Sequence, residues 1–186
     1  MHRSHSSIVG VPRYLKDKGI GPLAALEIDT LSKLTTHPER PFVAIIGGAK
    51  VKDKLSLLQN LLGKVDTLCI GGAMALTFLA ARGARLGASR IEMESLGLAE
   101  KVLRRAGKFN TEILLPVDHV AVEELTEGAQ TVVATNDDFP QDRMAVDVGP
   151  RTVELFQSHL ESAATVFWNG PVGVFEVKPF NLEIGR

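Results

Sequence analysis

The chain has 186 residues, of which 45% are apolar and 23% charged, with a formal net charge of -1. That length suits one domain with a sizeable core, and the balanced charge argues against a surface built to attract nucleic acid or an anionic membrane. No apolar run approaches the roughly 18–20 residues of a membrane-crossing helix, residues 1–5 contain no apolar leader-like stretch, and the single cysteine, Cys69, falls in an apolar run where a buried thiol in a reducing, cytoplasmic setting is expected.

Residues 8–36 read as helical, interrupted at Gly19-Ile20-Gly21-Pro22, with Leu23, Leu26, Leu31 and Leu34 forming a rough stripe. His37-Pro38-Glu39-Arg40-Pro41 closes it, because proline blocks helix continuation. Residues 42–46 form a wholly apolar run, as a strand buried on both faces should. Gly47-Gly48 leads into a helix carrying Leu55, Leu58 and Leu62. Residues 67–70 read as a second strand, again followed by a glycine pair, Gly71-Gly72, and a helix over 74–82. A helix over 95–107 and a third strand over 112–117 follow. Residues 119–148 look β-rich and irregular, a small excursion with a strand near 130–134. A helix over 150–161 and a fourth main strand over 165–168 complete the pattern. Strands alternating with helices predict an α/β fold with a parallel sheet. Glycine closes three of the four main strands, at the sheet edge where such folds bind ligands.

Gly47-Gly48-Ala49-Lys50-Val51-Lys52-Asp53-Lys54 joins a buried strand to a helix. Glycine lets the backbone approach a ligand, and the helix start offers N–H groups and positive dipole. Lys50 and Lys54 lie one turn apart with Asp53 beside both, an arrangement suited to polyphosphate. A tight turn followed by a solvated, charged first helical turn would carry the same residues. The loop is not a Walker A motif, and Gly19-Ile20-Gly21-Pro22-Leu23-Ala24 follows no strand, so it is read as a turn and not as a dinucleotide fingerprint. His2-Arg3-Ser4-His5 offers too few ligands for a metal, but Arg3 could meet an anion. The loop 168–176 could wall a base pocket, with Glu176 accepting bonds from a ribose, or be a buried connection ending in a surface glutamate. Asp137-Asp138 and Asp118-His119 read as solvated loop or turn elements.

Taken together, His2-Arg3-Ser4-His5-Ser6-Ser7, residues 41–54 (PFVAIIGGAKVKDK), 70–78 (IGGAMALTF), 113–118 (ILLPVD), Asp147-Val148-Gly149-Pro150 and 166–176 (VFWNGPVGVFE) resemble phosphoglycerate kinase over nearly the whole chain. The resemblance implies a Rossmann-like sheet with helices on both faces, truncated to roughly four of six main strands and ordered 3-2-1-4. It divides the chain into the end of a substrate lobe (1–21), an interdomain helix and linker (22–40) and a partial nucleotide-binding domain (41–186).

It also implies roles. Lys54 would meet the transferring phosphoryl group, Lys50 the nucleotide phosphates, and Asp53 would couple the lysines to lobe closure. Gly48 and Ala49 belong to the phosphate loop. Gly71, Gly72, Pro171 and Val174 would line the adenine pocket, Asn169 would reach the phosphates, Gly170 would belong to the nucleotide site, Glu176 would reach the ribose, and Arg3 the 3-phosphoglycerate. The implied reaction passes a phosphoryl group between 1,3-bisphosphoglycerate and ADP, in glycolysis, in a cytoplasmic parent that is a monomer. Mg2+ would arrive on ATP or ADP, with no metal ligand in this chain. Two departures stand out: Ala73 replaces a third glycine, and the family's late Gly-Gly-Gly-Asp-[Ser/Thr] segment, whose aspartate serves the magnesium ion, is absent. The isolated chain is therefore expected not to catalyse. The alternative is a non-catalytic nucleotide-binding module or degenerate paralogue, and a dinucleotide-dependent oxidoreductase lacks its strand-linked fingerprint.

Overall fold

The computed structural model describes residues 6–177. The chain divides into two compact units, residues 1–38 and 39–186. In the first, a π-helical turn (Ser6–Gly10) and a 3-10 turn (Val11–Arg13) stand where residues 8–18 read as helix. Gly19 and Gly21 leave no continuous helix until α1 (Pro22–Thr36), whose proline occupies a first-turn position where a missing N–H costs nothing. The predicted leucine stripe is present, but Leu23, Leu26 and Leu31 are exposed. Arg3 and its neighbours lie outside the described residues.

The second unit is built on a parallel sheet of β1 (Phe42–Ile46), β2 (Thr67–Ile70), β3 (Glu112–Leu114) and, numbered in chain order, β7 (Thr165–Asn169). Their order is β3-β2-β1-β7, as expected. Helices α2 (Val51–Leu61), α3 (Gly72–Ala81), α4 (Leu96–Lys108) and α5 (Pro150–Glu161) flank it. Side chains alternate across a strand. Val43, Ile45, Cys69 and Leu114 therefore share one face, which packs on Phe156 of α5 and on Val148 and Val172. The opposite set of β1, Phe42, Ala44 and Ile46, is equally buried, so the central strand is covered on both sides. β7 is an edge. Val166 and Trp168 pair in register with Val43 and Ile45, yet both are exposed.

The excursion is a second, antiparallel sheet of β4 (Asp118–Val122), β5 (Val132–Thr135) and β6 (Met144–Val148), ordered β5-β4-β6. The sequence suggested one strand through 112–117. Instead β3 stops at Leu114, and the chain changes sheets across Pro116, which has no N–H to donate to a ladder. Val120, Val122 and Val146 form this sheet's core together with Val174 and Val177 from the segment after β7. The small sheet thus holds that segment beside the carboxyl ends of the main strands.

Asp118-His119 departs from its reading as a solvated turn: Asp118 is 0% and His119 1% exposed. The Asp118 side chain accepts from the backbone N–H groups of Arg151 (3.0 Å) and Thr152 (2.8 Å), so it caps the start of α5 from outside the helix. Asp137 and Asp138 are exposed, as expected.

Candidate functional site

Three strand ends converge at the carboxyl edge, and their loops touch backbone to backbone. The N–H of Gly47 donates to Asn169 O, that of Gly71 to Ile46 O, that of Gly72 to Val172 O, and that of Met74 to Gly48 O. The glycines are sterically required. A Cβ on Gly47 would fall 1.9 Å from Pro171 O, and one on Gly72, which also has φ +68, would fall 2.6 Å from Gly48 O. The sheet reverses strand order between β1 and β7, the switch point where open α/β sheets form a crevice.

A cavity of about 310 Å³ opens there. Of the residues singled out from sequence, Gly48, Ala49, Gly72, Pro171, Val174 and Glu176 line it. Gly71 does not line it; a Cβ there would meet the Val172 side chain at 2.6 Å. Ala73 lines the cavity with its methyl in place. Leu76, Val146 and Val172 give the lining apolar surface, as a planar heterocycle needs.

Lys54 Nζ donates to Asn169 Oδ1, which ties α2 to the end of β7 across the switch point. Lys50 is the residue before α2, extended (φ -129, ψ 130) and exposed. Asp53 is exposed and forms no ion pair with either lysine among the described residues. Helix geometry accounts for the separation from Lys54, since adjacent helical residues point about 100° apart. The first N–H of α2, on Val51, is not open either: it donates to Glu92 Oε2 at 2.9 Å.

Arg90, Pro116, His119 and Asp147 also line the cavity and were not singled out as ligand contacts. Pro116 and Asp147 did lie within quoted motifs. Arg90 carried no signal, because its segment reaches the site only through the tertiary fold. His119 Nε2 lies 2.8 Å from Asn136 Oδ1, and Asn136 Nδ2 donates to Pro116 O. An amide oxygen can only accept, so the neutral imidazole carries its proton on Nε2. Burial lowers the His119 pKa, opposed in part by Asn136 and Asp118. Among the described residues no group of three or more His, Cys, Asp or Glu converges to hold a metal ion. No described helix is long and apolar enough to cross a membrane.

A family model described as phosphoglycerate kinase matches residues 1–182. The chain belongs to the phosphoglycerate kinase family. It is 46% identical over 180 residues to phosphoglycerate kinase of Anaeromyxobacter sp. (strain K), covering 97% of this chain and 46% of that protein. It is 47% identical over 179 residues to that of Desulfovibrio desulfuricans (strain ATCC 27774 / DSM 6949 / MB), covering 96% and 46%. The solved phosphoglycerate kinase of Coxiella burnetii superposes with a TM-score of 0.87 at 41% identity, covering 95% of this chain and 46% of that one. That of Pyrococcus horikoshii OT3 gives 0.81 at 29% identity, covering 96% and 45%. The chain thus spans about half the length of the relatives it matches, and the phosphoglycerate kinase family is one of phosphotransferases.

Proposed function

We propose that this chain carries the nucleotide half of a phosphoglycerate kinase site. ADP or ATP would seat its base in the apolar cavity between α3 and the loop 170–176, with its phosphates directed toward Lys50 and Lys54. The observation that carries the reading is the Lys54–Asn169 bond across the switch point, beside a cavity lined by glycines and apolar side chains together with Arg90, His119, Asp147 and Glu176. In the chemistry of phosphoryl transfer the protein positions and supplies charge, and little covalent work is asked of it. Lys54 would stabilise charge on the moving group, Lys50 would neutralise the nucleotide phosphates, and Glu176 would accept from the ribose hydroxyls. Lys54 would exchange Asn169 for phosphate oxygen with little movement. Gly47 and Gly170 let the loops close enough for this exchange. Mg2+, brought in on the nucleotide, would neutralise phosphate charge.

The full reaction, between 1,3-bisphosphoglycerate and ADP in the cytoplasm, needs a second substrate site. The residue assigned to it, Arg3, is outside the described residues. We infer that residues 22–40 link the two sites in the parent enzyme, and that the 186-residue polypeptide alone binds nucleotide without turning it over. The test is calorimetric titration of MgADP and MgATP into the purified chain, with Lys50→Ala and Lys54→Ala as controls. Removing either ammonium group should weaken binding about 10- to 100-fold, the equivalent of a charge-assisted bond. A folded chain that binds no nucleotide would refute the half-site, and ATP formation from 1,3-bisphosphoglycerate by the chain alone would refute its inactivity.

A further inference from the structure

Helix α2 begins without a local cap. Lys50 precedes it and makes no side-chain capping bond, and lysine has no acceptor to offer. Val51 opens the helix and is 0% exposed, so its N–H has no ready access to water. A buried donor left unpaired is costly. The partner comes from 41 residues downstream: Glu92 Oε2 accepts from Val51 N at 2.9 Å.

Glu92 is itself held. Its backbone N–H donates to Thr77 Oγ1 at 3.1 Å, and Thr77, in α3, is 1% exposed. Upstream, Ala88 N donates to Arg143 O (2.8 Å) and Ala145 N donates to Ser89 Oγ (2.9 Å). The segment 88–92 is therefore tied to β6 at one end and to α3 at the other, and Arg90 within it lines the cavity. The two helices that start at the site, α2 and α3, are joined through one residue, Glu92, whose carboxylate holds α2 and whose backbone N–H holds α3.

We propose that Glu92 is a positioning residue for the phosphate end of the site: it clamps the first turn of α2 to α3 and so fixes the directions of Lys50 and Lys54. The proposal rests on the nucleotide reading above. Lys50 immediately precedes the clamped N–H, and Lys54 follows it by less than one turn. Fraying of that turn would release the directions of both lysines. The clamp depends on reach more than on charge, since a neutral amide oxygen of the same length also accepts from an N–H.

Glu92→Gln, which keeps the reach, and Glu92→Asp, which is one methylene too short, separate these contributions, with Glu92→Ala as the full deletion. Hydrogen exchange in the nucleotide-free chain is measured first. The amides of Val51, bonded to Glu92, and of Lys54, the first to bond within the helix, should exchange about tenfold faster in the Asp and Ala variants, the scale of a missing cap, and near the parent rate in Gln, with α5 unchanged. MgATP titration follows. The dissociation constant should rise about tenfold in Asp and Ala and stay within about threefold in Gln. The Ala substitution should add nothing in a Lys50→Ala/Lys54→Ala background, because it acts through those lysines. Unchanged exchange at Val51 and Lys54, or faster exchange with unchanged affinity, overturns the proposal. Failure of the parent chain to bind MgATP would instead refute the nucleotide reading, while the exchange data still decide whether the clamp exists.

Discussion

Removing the Asp118 side chain tests how the small sheet and α5 are joined. Its oxygens accept from Arg151 N, Thr152 N and the Thr152 hydroxyl, at 3.0, 2.8 and 2.7 Å. That hydroxyl in turn accepts from the N–H groups of Val117 and Asp118. Asp118→Ala removes a helix cap, about 0.5–2 kcal/mol, and leaves the N–H of Thr152, itself 0% exposed, with only its 3.1 Å bond to Gly149 O. The expected loss is about 1–2 kcal/mol, or a fall in Tm of roughly 2–8 °C for a domain of this size. Gly149 provides an internal control. A Cβ there would sit 2.3 Å from the Asp118 carboxyl carbon, so Gly149→Ala should by itself cost about 1–3 kcal/mol through overcrowding. Gly149 has φ -84, so alanine suffers no backbone strain there. In the Asp118→Ala background the collision disappears, and Gly149→Ala should be close to neutral. Urea unfolding followed by circular dichroism measures all four corners of this cycle. Losses that add to within about 0.5 kcal/mol would refute the account, because groups that do not touch behave additively.

The buried thiol of Cys69 is pushed from its ordinary 9.0 up to about 12, first by burial and then by Glu112. It should resist Ellman's reagent in the native chain and react at once in urea. The folded chain keeps this proton while the unfolded chain loses it, so stability should fall from pH 9 upward, by at most about 1.4 kcal/mol per pH unit; Cys69→Ala should flatten that slope. His119 has a lowered pKa, chiefly from burial, so its contribution is present above its ordinary 6.5 and lost as pH falls below it. Urea melts between pH 7 and 5 should show a smaller loss for His119→Gln than for the parent, and parallel slopes would show that His119 does not titrate on unfolding. Gly47→Ala, with its Cβ 1.9 Å from Pro171 O, should cost stability and loosen the cavity wall, whereas Gly97→Ala, with nothing within 4 Å, should stabilise α4 by about 0.5–1 kcal/mol. Equal melting temperatures for these two variants would contradict the close loop approach.

The strands of the main sheet are legible in the amino-acid pattern, and their order follows from the family resemblance. Residues 42–46 are apolar throughout because a central parallel strand is buried on both faces, and glycine at the strand ends marked the edge where loops crowd. The order 3-2-1-4 and the convergence of the lysine loop with Asn169 were legible in the ordered motifs. What sequence left open concerns partners distant along the chain. Asp118 looked like a solvated turn residue because nothing near it in sequence shows that α5, more than thirty residues away, begins against its carboxyl group. Asp53 looked like a partner of Lys54 by proximity, but neighbouring positions on a helix diverge, and Lys54 turns to Asn169. Glu92 carried no motif at all. Local pattern reports which face of an element is buried, through its period. Only the tertiary structure decides which buried N–H meets which acceptor, because that depends on where separate elements meet in space.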